Sequence, residues 1–594
     1  MIDDAVAHVE AQFKRAEKNQ SEAFDRFNRF YQVYRQKDHQ ALFSIVSRSR
    51  YVVPVAYKTV ETVLPRLLSV LMSTSPPIQS RYRLQAPDLA LRYLDATFAY
   101  HFDQDDWFWP LQAWLKEGLI FGQSYLKVGW TQKKRTYTKK NFNLDTMDYE
   151  EKEQTDTVVD GIQLTPVSIF NMFFDPEAYF PNVFDSAKWV IQKSRVATSK
   201  LVEMRDAGVY DSFDEGDLKP SQDYGSMYDK AIDDRSRPEQ DRDDPLIDVY
   251  EYWEDERLIT TASHRVKLRD EGNPFGLPGK QRKKPFVEFV DTLVPGSLWQ
   301  IGEVEPIEHN QVETSTLRRQ RTDNNSLIIN RMWIFNKDAD VDLEALELSR
   351  PGGAVGARPI DGSLQNALQP LAQSDINGAS FREFSDLSKD AQETSGLLDY
   401  AVGASPERRE TATTVQLLQT AANLRFDIKI RNASTSFKKL GRFCHERWKQ
   451  LQTKPLPIKI QMPGMAMPSF KQITREDLPD PDSVDILVPG NPALLLKDAR
   501  RQTLLQFYQS MIQNPAVNPQ AGVEILKLAL KEAEIDGVEQ ILAMMDAPPP
   551  PPGMPMNGGP PNLQPPAPPQ PPMPQRPAGL NEHPITVPHP SPRS

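Results

Sequence analysis

The hydrophobic pattern of the chain opens with helical spacing. Phe24, Phe27, Tyr31 and Tyr34 lie on one stripe at steps of three and four, which predicts helix through the first 48 residues. A second apolar helix is predicted from Val60, Val63, Leu64, Leu67 and Leu71. Helical spacing returns over residues 88–121, around the aromatic cluster DDWFWPLQAWL, until Gly122 breaks it. Strand patterns follow at SYLKVGW (Ser124 to Trp130), TPVSIFNMFF (Thr165 to Phe174), DVYEYWE (Asp248 to Glu254) and PFVEFVDTL (Pro285 to Leu293). The fold class predicted is α+β, predominantly helical. Between Arg205 and Asp248 the chain is acidic, poor in apolar residues and rich in Ser, Gly and Pro, which predicts a solvated, mobile surface loop.

The centre differs in kind. GEVEPIEHNQVETSTLRRQRTDNNSLIIN (Gly302 to Asn330) starts as helix, with Pro306 suited to a first turn, yet only Ile307, Val312 and Leu317 are apolar in its middle. A helix polar on nearly every side is unstable alone and needs support from neighbours. An irregular block, Arg331 to Ser374, leads to a helix from Asp375 to Leu398 with Phe381, Phe384, Leu387, Ala391 and Leu398 along one side. A Gly/Pro loop then carries adjacent arginines, Arg408 and Arg409, immediately before the longest helix. There Val415, Leu418, Ala422, Phe426, Ile430, Ala433, Phe437, Leu440, Cys444 and Trp448 form one stripe, and Thr413 with Gln416 fits a capping box. Val415 to Trp448 spans about 50 Å at 1.5 Å per residue, the dimension of a strut. DARRQTLLQFYQSMIQ and AGVEILKLALKEAEIDGVEQILAMM predict a last helical pair ending near Met545. Twenty of the 51 prolines lie beyond it, so the tail is expected to be disordered with polyproline II character. A docking tail for a partner domain is the alternative.

Composition narrows the possible roles. With 594 residues, more than one domain is expected. A net charge of -11 argues against a general nucleic-acid coat but not against DNA passing nearby. A channel through which DNA slides is better served by sparse than by dense phosphate neutralisation. The single cysteine, Cys444, excludes an intrachain disulfide or a thiolate metal cluster. The longest apolar candidate, Thr59 to Met72, is interrupted by Glu61, Pro65 and Arg66 and falls short of a bilayer span. The amino terminus lacks a signal-peptide core, so a soluble cytosolic protein without membrane insertion is expected.

Catalytic constellations are scarce. The nearest approach to a phosphate loop, GNPFGLPGKQRKK, has Pro274 where the first glycine belongs and Gln281 after the lysine. GGAVGA (Gly352 to Ala357) lacks dinucleotide-loop spacing. DADVDLEALELS has Leu343 in place of the turn glycine of a calcium loop and Ser349 in place of its bidentate Glu. His445–Glu446 lacks the second histidine of a zinc helix. No catalytic, cofactor-binding or metal-binding residue is assigned, no cofactor is expected, and the chain is not expected to be an enzyme.

The order of these segments resembles the portal (head-to-tail connector) proteins of tailed double-stranded DNA bacteriophages, particularly the short-tailed phages. TPVSIFNMFFDPEA is similar to the family's strand entering a D-P-x-A turn, here Asp175, Pro176 and Ala178. VYEYWE resembles a core strand, and IGEVEPIEHNQVETSTLRRQRTDN a Gly-to-helix segment. RRETATTVQLLQTAANLRF is similar to the family's junction of loop and long helix. The resemblance spans roughly residues 50–450 and leaves the N-terminal helix, the acidic insertion and the proline tail without counterparts.

The resemblance implies a homo-oligomeric ring of about twelve subunits at one capsid vertex. It assigns residues 1–302 to a wing, 303–328 and 375–397 to two stem helices, and 329–374 to a clip. Residues 398–411 become a tunnel loop, 412–450 a long kinked helix, 451–494 a connection between wing and crown, 495–546 a helical crown, and 547–594 the disordered tail. The implied partners are the large terminase subunit, head–tail adaptor and tail proteins, major capsid and scaffolding proteins, and double-stranded DNA held transiently and non-specifically. The implied location is the virion, after assembly in the host cytoplasm. Arg408 and Arg409 become candidates for a basic girdle facing DNA, against the alternative of pairing with Glu407, Glu410 or other acids. Arg318, Arg319 and Arg321 become candidates for inter-subunit ion pairs or lumen contacts. A minor capsid or ejection protein is the structural rival; a packaging ATPase or nuclease is the enzymatic one.

Overall fold

A computed structural model describes residues 4–37, 49–83, 88–143, 148–181, 183–221, 244–276, 282–329, 332–347, 354–360, 362–371, 378–395, 412–460 and 469–488. They all belong to one compact unit, residues 1–499. The predicted last helical pair, the proline tail, the tunnel loop and Arg408 and Arg409 lie outside the described residues.

Helix α1 (Asp4–Tyr34) ends sooner than its pattern predicts, because the chain turns at Gln36, whose φ is 56°. Its buried stripe includes Phe13, Ala16, Ala23, Phe27, Phe30 and Tyr34, with Phe24 and Tyr31 half-buried at its flank. Helix α2 (Val55–Leu71) buries all five of its predicted apolar positions. Strand β1 (Gln79–Tyr82) follows, and the helical pattern over 88–121 then resolves into two helices, α3 (Asp88–Gln104) and α4 (Phe108–Phe121). The break has a cause within the aromatic cluster. Pro110 lacks an N–H and its ring clashes with the carbonyl four residues back, so no helix passes through, and Asp106 turns the chain at φ 49°. Gly122 caps α4 at φ 93°, where a Cβ would stand 2.2 Å from the carbonyl oxygen of Gln300.

Gly122 opens a hairpin much longer than SYLKVGW predicts: β2 (Gln123–Asn143) pairs antiparallel with β3 (Asp148–Val167). The predicted strand Thr165 to Phe174 is in fact three pieces. It comprises the end of β3, a 3-10 turn at Ile169–Asn171, and β4 (Met172–Phe174). After α5 (Val183–Ser186), β5 (Val190–Ala197) pairs with β4, and α6 (Thr198–Asp206) leads into the acidic stretch. That stretch is ordered at both ends. Leu218 and Ser221 are buried, and β6 (Leu246–Trp253) holds buried Asp248, whose carboxylate accepts from Ser221 Oγ at 2.8 Å.

Strands β7 (Arg257–Ala262) and β8 (Val266–Gly272) complete an antiparallel meander in the order β4-β5-β6-β7-β8. Alternation in LIDVYEYW gives that sheet two faces. Tyr250 and Tyr252 pack with Phe13 of α1, while Ile247 and Val249 pack with Leu201 of α6 and Leu218. Strand β9 (Phe286–Val290), buried at every position, pairs with the base of β2.

The chain then leaves the sheets. Helix α7 (Glu308–Ile329) is followed by β10 (Trp333–Phe335), the short α8 (Leu343–Glu347) and β11 (Leu368–Pro370), and α9 (Gly378–Ser395) runs back. Helix α10 (Ala412–Leu451) is unbroken over 40 residues. It is already helical at Ala412, so Thr413 falls within the helix and not at its cap. From Phe426 the predicted stripe is buried at every position, Ile430 through Trp448 at 0% exposure. The Trp448 ring lies 4.8 Å from Phe98 and 5.0 Å from His101, and Phe437 stacks 5.9 Å from Trp114. Each such side chain contributes about 1.5–3 kcal/mol on burial, so α10 is fastened to α3 and α4 along its C-terminal two-thirds. Strands β12 (Leu456–Ile460) and β13 (Ser469–Ile473) form a hairpin, and β14 (Val484–Leu487) returns to pair with β1. Within the span expected to be a connection, 451–494, these three strands belong to the main body.

Candidate functional site: the polar central helix and its anchors

Helix α7 has almost no apolar face, and a backbone holds it. Gln311, Ser315, Arg319 and Asp323 recur every four residues on one side. Gln311 Oε1 accepts from Ala56 N at 2.7 Å, while its Nε2 donates to Val33 O at 3.0 Å. Ser315 Oγ accepts from Val53 N at 3.0 Å, Arg319 Nε donates to Tyr51 O at 2.8 Å, and Asp323 accepts from Ser49 N at 2.9 Å. The match is geometric. Four helical residues rise about 6 Å, and two residues of extended chain advance about 6.6 Å, so Asp323, Arg319 and Ser315 meet the alternate residues Ser49, Tyr51 and Val53, and Gln311 meets Ala56 in the first turn of α2. The helix is thus supported within its own subunit on this side.

The remaining anchors are charged. Arg26 and Arg29 of α1 approach Glu305 at 3.7 Å and Glu308 at 3.5 Å, at the start of α7. Arg321 joins α7 to α9. Its guanidinium lies 4.3 Å from the ring centroid of Phe381 and 4.9 Å from that of Phe384 on α9, and donates to the carbonyl of Ser380.

The sequence-derived arginine cluster thus divides. Arg319 is fully buried on the Tyr51 carbonyl, Arg321 is buried between α7 and α9, and Arg318 is exposed with its guanidinium 6.0 Å from the Tyr51 ring. Helical geometry separates them, since adjacent positions point about 100° apart.

Sequence patterns did not single out a third anchor. Lys429 on α10 reaches Asp291 at 2.6 Å and Glu303 at 2.7 Å, and both acids are almost wholly buried. Asn432 Nδ2 donates to Asp291 O at 2.8 Å, and Lys439 meets Glu288 of β9 at 2.8 Å. The long helix, the end of β9 and the segment leading into α7 thereby share one buried point. One ammonium serves two carboxylates there. Burial pushes Asp291 up to about 7, with Lys429 opposing and Glu303 reinforcing. The sequence signal for this site was thin: lysine on the flank of an apolar stripe and two acids beyond a strand.

Nucleophile and metal chemistry is sparse here. Burial drives the Cys444 thiol far above its ordinary range, which makes it inert. Among the described residues, no group of three or more His, Cys, Asp or Glu side chains is placed to hold a metal ion. Nor, among them, is any helix long and apolar enough to cross a membrane. The chemistry of these anchors is that of a scaffold.

Residues 143–577 match the family described as phage SU10 portal protein. That span exceeds half of the chain, and the chain belongs to this family, a class of virion proteins that is structural and non-enzymatic. The match runs into the proline-rich stretch, for which the sequence resemblance gave no counterpart. No curated protein matches the chain.

Replacing Gln311 with Leu leaves the Ala56 N–H and the Val33 carbonyl buried without their partner, at about 1–3 kcal/mol each. Urea unfolding is expected to show a loss of about 2–5 kcal/mol, against about 1 kcal/mol for Ser315→Ala. The node on Lys429 predicts a pH dependence. The folded state holds a proton on Asp291 up to about 7, whereas an unfolded Asp releases it near about 4. Folding is therefore favoured on the acid side, and that contribution is lost as pH rises from about 4 to about 7. Asp291→Asn is expected to flatten the fall in urea midpoint across this window. Lys429→Met is expected to cost about 3–5 kcal/mol at pH of about 8 and less at about 5.

Proposed function

We propose that the chain is the repeating subunit of a closed homo-oligomeric ring at one capsid vertex. In this reading the ring is the channel for genome packaging and ejection, and the platform on which terminase, adaptor, tail, capsid and scaffolding proteins dock. Family membership supports the portal role, and one structural observation carries the ring. The region between the stem helices displays Ile329, Met332, Trp333, Ile334, Phe335 and Leu364 at 39–76% exposure on the isolated chain. Strand β10 is exposed at all three of its apolar positions, and its only strand partner among the described residues is three-residue β11. A two-stranded piece of that size is not stable in water, and an apolar surface of that kind marks a contact with another chain. In a ring, each copy covers its neighbour's.

Within that ring, residues 303–328 and 375–397 act as the stem, 329–374 as the clip that meets an adaptor, and 1–302 as most of the wing. Residues 412–450 form the strut that carries the tunnel loop, 398–411. The ring has about twelve copies. Arg408 and Arg409 then recur once per subunit around the channel, spaced phosphate contacts that steady DNA without arresting it. Arg318, exposed on α7, remains available to the lumen or to a neighbouring subunit.

Electron microscopy of the purified protein tests the ring: closed particles with a central hole are expected. Trp333→Asp combined with Ile334→Asp is expected to shift them to monomers by mass photometry while circular dichroism stays unchanged. Strictly monomeric wild-type protein, or unaided nucleotide turnover, overturns the proposal. For the tunnel loop, Arg408→Glu with Arg409→Glu is expected to reduce the DNA retained per capsid at unchanged ring yield. Unchanged packaging and retention would remove that role.

A further inference from the structure

The hairpin of β2 and β3 carries charge in an arrangement that the ring reading does not by itself explain. Beyond Val128 no described strand pairs with the outer edge of β2, and none pairs with the outer edge of β3. From Gly129 to Asn143 this two-stranded ribbon is about 45 Å long at about 3.3 Å per residue.

Its strands have opposite sign. Lys133, Lys134, Arg135, Lys139 and Lys140 lie on β2, with no acid between them. On the facing part of β3 lie Asp148, Glu150, Glu151, Glu153 and Asp156, with Lys152 the one cation. Direct opposition in the register brings together only some of these charges. Arg135 stands directly opposite Asp156 and Lys140 opposite Glu151, but Lys139 stands opposite Lys152. Lys134, Glu153, Glu150 and Asp148 stand opposite Thr157, Thr138, Asn141 and Asn143.

A two-stranded ribbon this polar is marginal in water on its own, and an open strand edge is a template for another chain. A cyclic assembly of identical copies needs two different surfaces that fit each other, one on each side of the subunit. The two edges of this ribbon meet that requirement, one cationic and the other anionic. We propose that the ribbons form an inter-subunit contact in which the β2 edge of one copy lies against the β3 edge of the next. The charge segregation sets the head-to-tail direction of closure. Nucleic acid is the less favoured occupant of the basic strand, because the acidic strand runs about 4.8 Å away and opposes phosphate along most of its length.

The proposal rests on the ring reading, and charge reversal in the full-length chain separates the two. One variant carries Lys133→Glu, Lys134→Glu, Arg135→Glu, Lys139→Glu and Lys140→Glu. The second carries Asp148→Lys, Glu150→Lys, Glu151→Lys, Glu153→Lys and Asp156→Lys, and the third combines both sets. Mass photometry at about 0.1 M salt, where charges still interact over about 10 Å, is expected to show loss of rings in each single-strand variant and recovery in the combined one. Rings at wild-type yield in either single-strand variant overturn the proposal and leave the ring reading intact. Failure of the combined variant to recover also overturns it, because the loss is then one of folding. If the β2 variant keeps its rings but loses binding to a double-stranded oligonucleotide, the basic strand serves DNA and the proposal falls. Wild-type protein that never forms rings removes the ring reading and this contact with it.

Discussion

A helix without an apolar face is held by hydrogen bonds or not held at all, and the central segment of this protein depends on that constraint. Turn by turn, Gln311, Ser315, Arg319 and Asp323 bind main-chain groups of residues 49–56. The partners are backbone N–H and C=O groups, so the contact is specified by the four helix side chains. The arrangement fixes the direction in which α7 leaves the body. It also leaves the opposite side of the helix without an apolar commitment, as a wall exposed to water or to another subunit requires.

The second constraint is electrostatic. Lys429 ties Asp291, at the end of β9, and Glu303, in the segment leading into α7, to the middle of the 40-residue helix α10. Removing charged groups from water is costly, and here the geometry offsets that cost with close contacts on a shared cation. A displacement of α10 along its axis has to break these contacts or carry the base of α7 with it. The long helix is therefore linked mechanically to α7 as well as packed against the core through Phe437 and Trp448.

What the isolated chain leaves unsatisfied is as informative as what it satisfies. Its core is closed by large aromatic side chains, yet apolar residues lie open around β10 and the β2–β3 ribbon has two strands of opposite charge. These features are liabilities for a monomer, and in the proposed ring they become complementary surfaces. Membership of a portal family agrees with that proposal.

Long regular stripes were legible directly. The α10 stripe from Phe426 to Trp448 and the five positions of α2 depend on local spacing, and burial follows them residue for residue. The division of residues 88–121 was written in Pro110 but masked by the apolar cluster around it. The 21-residue length of β2 was not legible, because KKRTYTKK has no hydrophobic alternation and its strand form comes from pairing with β3. Nor were Lys429 and Gln311 distinguishable from other polar residues, since their partners lie 126 or more residues away. The sequence by itself determined which segments are helix, which strands are buried, and that the centre would be a helix in need of support, because periodicity is a local property. Only the tertiary structure decided what provides that support and where the buried charges meet, because hydrogen bonds and ion pairs between distant segments depend on positions that no local pattern encodes.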